Sequence, residues 1–400
     1  MANDGTPSRP PVKDWATDWD HLDPRWNKDP YPIWDELRSR CPVAHTQRFE
    51  GAYLPTTYEA VKAIAYDTDS FSSRRVVVRD ERIENPLPAP PITSDPPSHK
   101  PLKQILLPPF TPDEVAKIEP KARRICNELI DGFIAKGRCD AAQDYARHIP
   151  TRVIAAMLGV PEHDGDLFVR WIHEILEVGI YDTDTLNKAS DEMGEYFAEH
   201  VEDRRKNPKD DLVTRVVQAK FVGHPIPEVL ATGMLRLLLI AGIDTTWSAI
   251  GASLWHLAKT PSDRERLVRE PVLMPTAIEE FLRFYAPVTM AREVMKETVV
   301  QGCPMKPGNV VLLSFPAANR DPAEFPDADK FIIDRQQNRH GAFGLGIHRC
   351  VGSNLARMEM TVALEEWLKR IPSFSLPDPS AVTWSEGTVR GPRQLPIAFT

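Results

Sequence analysis

The sequence predicts one mostly α-helical domain with a small β subdomain, and three observations carry that prediction. From Pro97 to about Lys259, apolar residues recur at helical spacing, broken only by short Pro, Gly and Asp punctuation such as GVPEHDGD and KNPKDD. Within that body one helix opens near Pro227 and runs to about Ala258, long enough at ~1.5 Å per residue to cross a whole domain. Strand-like runs gather late in the chain: TVVQG, a Met-Lys-Pro-Gly turn, NVVLLSF and a short β-rich tail.

In chain order, residues 1–30 read as a Pro-rich N-terminal arm and residues 31–400 as a single domain. Short helices over 31–40 and 58–66 flank the strand-like GAYLPTT. Residues 71–97 read as a long Pro-rich loop carrying Arg74, Arg75 and Arg79. A loop of that length inside a compact domain is functional or mobile. Its arginines read as a solvated face, with attraction of a carboxylate or phenolic group as the other reading. After the helical body come a helix over 274–285, the strands, an irregular segment over 316–342, a glycine-rich loop and a helix over 351–370. There is no internal repeat and no clear linker.

A chain of 400 residues, 42% of them hydrophobic, supports a substantial buried core. Its 49 basic and 57 acidic residues are interspersed, with a net charge of −8, so nucleic acid is not an expected partner. The opening MANDGTPSRPPVKDW holds prolines and charges where a signal peptide or anchor needs an apolar run, which points to the cytoplasm. Only seven uncharged residues separate Arg236 from Asp244. A membrane span needs ~20, so the long helix is expected in a soluble core. Cys41, Cys126, Cys139, Cys303 and Cys350 form no CxxC pair, which argues against a disulfide framework or zinc site.

Two stretches break the pattern. LLLIAGIDTTWSAIG, residues 237–251, sets Asp244, Thr245 and Thr246 in the most apolar run of the chain, where an acid loses hydration unless something compensates. AFGLGIHRCVGSNLARMEM gathers three glycines, a histidine and a cysteine in a loop that opens a helix. Glycines there permit tight turns and close approach to a ligand. Oriented N–H groups at a helix start favour thiolate, so Cys350 is placed to ligate a metal.

Phe343, Gly344, Gly346, His348, Cys350 and Gly352 resemble the FGxGxHxCxG haem-binding loop of the cytochrome P-450 monooxygenases, of soluble bacterial type. AGIDTT resembles the family's distal-helix signature, Glu280 and Arg283 its ExxR pair, and DPPSHKPLK its early helix beneath the haem propionates. The resemblance implies the cytochrome P-450 fold, with haem b between the long central helix and the Cys-loop helix. Cys350 would be the proximal iron ligand, with Phe343 packed beside the sulfur. His348, His99, Lys103 and Arg292 would hold the propionates, Lys103 standing where arginine is usual. Glu280, Arg283 and Arg335 would form a buried structural triad needed for folding and haem retention. Asp244 and Thr245 would face the oxygen site, Thr245 steadying oxygen and a water while Asp244 relays protons. Ala241 and Gly242 would leave room for oxygen beside the helix wall.

By family position the substrate pocket would draw on the 71–94 loop, Val178, Ile240, Val288, Met290, Thr388 and Val389. These are mostly apolar, implying a small to medium hydrophobic or aromatic substrate that is hydroxylated or O-dealkylated. The β-rich tail leaves no room for a reductase module, so electrons are expected from NAD(P)H through a ferredoxin and its reductase, unless the chain is the haem domain of a longer fused enzyme. Arg349 and Lys100 would supply a basic rim for an acidic partner. Peroxide-driven oxygenation and a haem-thiolate sensor or carrier are the alternatives, the latter having no use for Asp244 beside Thr245.

Overall fold

The 32-residue central helix, Glu228–Lys259, organises the molecule. The computed structural model describes residues 9–80, 83 and 88–400. Pro227 caps the helix in an extended conformation, its missing N–H costing nothing at a helix start. Helices His148–Leu158, Thr183–Lys206 and Ser353–Arg370 pack against it. The helix is long and apolar enough to cross a membrane, yet Leu235, Leu239, Ile243, Ile250 and Leu254 are all buried inside the fold. Its apolar residues face protein on nearly every side, which is why it lacks an amphipathic stripe.

Helices Glu119–Phe133, Gly165–Leu176 and Met274–Phe284 complete the body. Beside it lies a five-stranded sheet in the order Val43–Thr46, Ala52–Pro55, Val310–Ser314, Thr289–Val294, Phe71–Ser72. Neighbours are antiparallel except Ala52–Pro55 and Val310–Ser314, which run parallel with Val311 opposite Tyr53. The expected TVVQG strand pairs back on Cys303–Met305 in a hairpin turned by Gln301 and Gly302, both with positive φ. The C-terminal strand Pro396–Phe399 pairs with Arg138–Asp140, tying the tail to the helical body.

The N-terminal segment corrects the expectation of an arm. From residue 9 onward it forms two short helices, Trp15–Asp18 and Pro24–Lys28, capped by Asp14 and Asp23. Trp15, Trp19 and Trp26 are buried with Trp34, Leu37 and Leu54 against the sheet, Trp26 meeting Trp34 edge-on at 5.5 Å. Three indoles of ~150–250 Å² each outweigh the cost of ordering a Pro-rich segment. Arg48 locks it down through Asp18 at 2.9 Å and Asp20 at 2.6 Å. Residues 1–8 of the expected arm lie outside the described residues.

Candidate active site

Glu280 and Arg283 share one face of helix Met274–Phe284, and both are wholly buried. Arg283 donates from Nε and Nη2 to the two Glu280 carboxylate oxygens, each at 2.8 Å. Arg335 adds its Nε at 3.0 Å, Asn338 its amide at 3.1 Å and Ile332 its backbone N–H at 2.7 Å. The remaining guanidinium donors reach backbone carbonyls: Arg283 those of Asn319, Ala328 and Lys330, Arg335 those of Pro326 and Asp327. One carboxylate and two guanidiniums thus fix the irregular chain that leads into the Cys350 loop. A buried charge cluster is tolerable when its donors and acceptors are matched to this degree.

The loop is shaped by backbone. Cys350 N–H donates to Phe343 O at 2.8 Å and Gly344 N–H to Gly341 O at 2.8 Å. Gly344 and Gly346 have φ of +73° and +67°. At Gly346 a Cβ would also stand 2.4 Å from Ala65 O, so only glycine fits there. Gly352 precedes the first turn of Ser353–Arg370 and directs its N–H at the Cys350 sulfur. Cys350 as a residue is exposed, although protein crowds its thiol. That crowding raises the thiol pKa, opposed by the Gly352 N–H and the charges of Lys103, Arg349 and Arg357. The helix start therefore does not by itself produce a thiolate, contrary to the expectation from position. Phe343 is half-buried, with the Arg357 guanidinium 4.5 Å above its ring centre.

Four bases meet on one side of this loop. His99 and His348 lie ring to ring at 4.4 Å, and Ser73 Oγ is 2.8 Å from His348 Nε2. Burial, then Arg292, His99 and Lys103, push His348 down to about 3, while burial brings Arg292 down to about 10. None of the four forms an ion pair with an acid among the described residues. Asp95, the nearest acid they sense, is already bonded to Ser72 and to the Ser73 N–H. Among the described residues, His99 Nε2 is buried with no partner, and Arg292 reaches only the Ala291 carbonyl at 2.7 Å. Lys103 instead donates to the carbonyls of Ile347 and Arg349, at 2.5 and 2.7 Å, so it also props the loop. An accessible cysteine beside a buried arginine, a half-buried lysine and two neutral histidines, none paired with an acid among the described residues, is the donor set a haem requires: one sulfur for the iron and several donors for two carboxylates.

On the central helix, Ala241 is exposed and Ile240 and Thr245 are half-buried amid buried neighbours. Thr245 Oγ1 donates to Ala241 O at 2.8 Å, spending its proton on the helix and leaving its lone pairs to accept. Gly242 does not provide room for oxygen as expected. A Cβ there would stand 3.2 Å from Ile154, so this glycine serves the close approach of helix His148–Leu158.

Asp244 needs a second correction: its carboxyl does not face the accessible strip. It is fully buried, and Oδ1 accepts from Arg393 Nη2 at 2.7 Å while Oδ2 has no partner. Adjacent helix residues diverge by ~100°, which turns Asp244 towards the C-terminal strands when Thr245 faces the strip. Arg393 also donates to Glu177 at 2.7 Å and Ser248 at 3.2 Å, and Glu177 lies 3.8 Å from the exposed His173. Burial pushes Asp244 up to about 6 against the pull of Arg393. Glu177 raises the His173 pKa. Neither Arg393 nor Glu177 was expected from sequence. The one signal was a lone arginine in the apolar GPRQLPIAF, brought to the helix because Gly391 packs its Cα against Ser248.

Of the expected pocket residues, Val288, Val389 and Thr388 are brought together from separate segments. Val288 bridges Val389, and Thr289 N–H donates to Thr388 O at 2.9 Å. Gly387 packs on Leu176 and Ile180 beside the half-buried Val178, and Met290 packs on the sheet cluster. Arg79 is not solvated: it is buried and donates to Gly179 O at 3.3 Å, while Arg74 is exposed and Arg75 lies 3.4 Å from Glu50. Residues 81, 82 and 84–87 of the expected 71–94 wall lie outside the described residues.

Residues 182–380 match the cytochrome P450 family model. The chain is 35% identical to mycinamicin IV hydroxylase/epoxidase of Micromonospora griseorubida, covering 91% of this chain and 94% of that protein. It is 33% identical to 6-deoxyerythronolide B hydroxylase of Saccharopolyspora erythraea, over 96% and 98%. The solved structure of CYP109E1 from Bacillus megaterium, in complex with testosterone, superimposes with a TM-score of 0.87 at 31% identity, over 93% and 98%. This chain belongs to the cytochrome P450 family and has its fold. Like the hydroxylases it resembles, it is a cytochrome P450 monooxygenase.

Proposed function

We propose that the protein binds haem b through Cys350 and inserts one atom of dioxygen into a small to medium hydrophobic or aromatic substrate by hydroxylation or O-dealkylation. The observation that carries this reading is the accessible Cys350 beside His99, Lys103, Arg292 and His348, four bases with no acid to pair with and one orphaned buried nitrogen. When bound, haem with a thiolate ligand supplies the chemistry that activates oxygen and favours O–O cleavage.

The chain's own groups then do the remaining work. Loop N–H groups and the Lys103 charge favour the thiolate against the burial that opposes it, iron coordination would complete the deprotonation, and the Glu280 cluster keeps the loop in register. Thr245 Oγ1, its proton committed to Ala241, accepts from a water at the accessible strip. When protonated, Asp244 carries its proton on the unpartnered Oδ2 and delivers it towards Thr245 by side-chain rotation, Arg393 holding Oδ1. Glu177, with His173 beside it, holds the Arg393 guanidinium in place; Arg393 keeps its own protons and orients Asp244, which regains its proton from water. Apolar walls at Ile240, Val288, Met290, Val178 and Val389 exclude water from the substrate. Electrons come from NAD(P)H through a ferredoxin and its reductase, docking by Arg349 and Lys100, both exposed.

Thr245→Ala tests the arrangement. Substrate binding should persist, while product per NAD(P)H oxidised drops several-fold and hydrogen peroxide rises to match. The assay uses a surrogate ferredoxin pair and labelled dioxygen, with one labelled atom expected in the wild-type product. Full coupling in the variant contradicts the role of Thr245, and unlabelled product contradicts the reaction class.

A further inference from the structure

A second polar site lies higher on the central helix, outside the Asp244 and Cys350 constellation. Arg236 is only 8% exposed, its Nε is buried without a partner, and it forms no hydrogen bond or ion pair among the described residues. Thr232, one turn earlier on the same face, also has a buried Oγ1 without a partner. That is unusual within this helix: Thr245 and Ser253 both satisfy their hydroxyls by donating to the carbonyl four residues back. Both side chains line a solvent-open pocket of about 370 Å³, flanked by Pro88, by Gly194 on the facing helix Thr183–Lys206, and by Glu228, Val229 and Gly233. Gly233 admits the loop closely, since a Cβ there would stand 2.4 Å from Pro88 O.

Among the described residues, the charges around the pocket leave Arg236 uncompensated. Glu228 at the rim is taken by Arg205 at 2.7 Å. Asp191 on the facing helix is exposed and influences Arg236 only through space. An isolated buried guanidinium is expensive, so a fold retains one where a ligand supplies the anion. Its planar fork, with a hydroxyl alongside, suits the two oxygens of a carboxylate. Thr232, Arg236 and Ile240 fall four residues apart on one face, and Ile240 lies ~6 Å further along the helix axis.

We propose that Arg236 and Thr232 anchor the carboxylate of a hydrocarbon acid whose apolar part runs along the central helix towards Ile240. The substrate class is then a medium-length carboxylic acid oxidised away from its carboxyl end, a statement that rests on the monooxygenase reading, whereas the anchor itself does not. Bound acid places its oxygens against Arg236 Nε and Nη and accepts the Thr232 hydroxyl proton as a hydrogen bond.

Calorimetric titration of the haem-loaded protein with octanoate and octanamide tests the anchor without turnover. Wild type is expected to prefer octanoate by about tenfold or more, about 1.4 kcal/mol. Arg236→Met should erase the preference, leave octanamide binding unchanged, and raise the Tm of ligand-free protein by removing an unpaired buried charge. Equal affinities in wild type, a preference that survives in Arg236→Met, or a lowered Tm showing that Arg236 pairs within the chain would each overturn the proposal. Octanoate preference with no oxygenated product supports the anchor and counts against the monooxygenase reading instead.

Discussion

Glu280→Ala is expected to give protein that purifies with little haem and unfolds at markedly lower urea concentration than wild type. The substitution leaves the buried guanidiniums of Arg283 and Arg335 without their shared carboxylate, and Ile332 N–H and Asn338 without their acceptor. Removing one partner from a buried ion pair costs ~3–5 kcal/mol, against a total stability of ~5–15 kcal/mol for a folded domain. The loss is local as well as global. The same arginines hold the carbonyls of Asn319, Pro326, Asp327, Ala328 and Lys330, the segment that delivers the Cys350 loop. Glu280→Gln keeps an acceptor and should fall between the two. Haem-to-protein ratio and the urea midpoint are the readouts, and normal values for both in Glu280→Ala would remove the cluster from the account.

Asp244→Asn is expected to slow product formation about 10²-fold, the usual worth of a positioned proton donor, while substrate affinity stays within a few-fold. The pH profile separates this from a packing defect. With a pKa pushed up to about 6 by burial, Asp244 is mostly protonated below that value and ionised above it. If its proton feeds the oxygen site, the proton-limited rate declines by about tenfold per unit above pH 6, and that limb disappears in Asp244→Asn. Stability carries the same signature. The folded-state pKa lies above the ordinary 3.8, so the folded state binds the extra proton between about pH 4 and 6. The contribution of Asp244 to stability therefore falls as pH rises through that window and is level above it, a slope the asparagine variant lacks. Identical pH profiles for the two proteins would contradict the relay.

What could be read from sequence was whatever is encoded within a few residues. The Cys350 loop is local: its glycines, histidine and cysteine sit within ten positions, and the turn they impose follows from backbone freedom alone. Glu280 and Arg283 are likewise one helix turn apart. Arg393 was not legible, because it meets Asp244 across 149 residues and no spacing rule links a tail strand to the middle of a helix. The direction of Asp244 was misjudged for the same reason, its partner being invisible. Gly242 read as space for a ligand because the sequence does not show Ile154 opposite it. The N-terminal arm read as loose because prolines dominate its composition, whereas its three buried tryptophans dominate its energetics. Arg79 shows a wider limit: its charge read as solvated, and only the fold reveals that it is buried.

Ligation of haem iron by the Cys350 thiolate is tested most directly by the absorption spectrum of the reduced protein with carbon monoxide. A strongly red-shifted Soret band that is lost in Cys350→His is expected. A band characteristic of histidine or neutral thiol ligation in well-folded wild-type protein would contradict it, and the oxygen-activating role of Asp244 and Thr245 would fall with it.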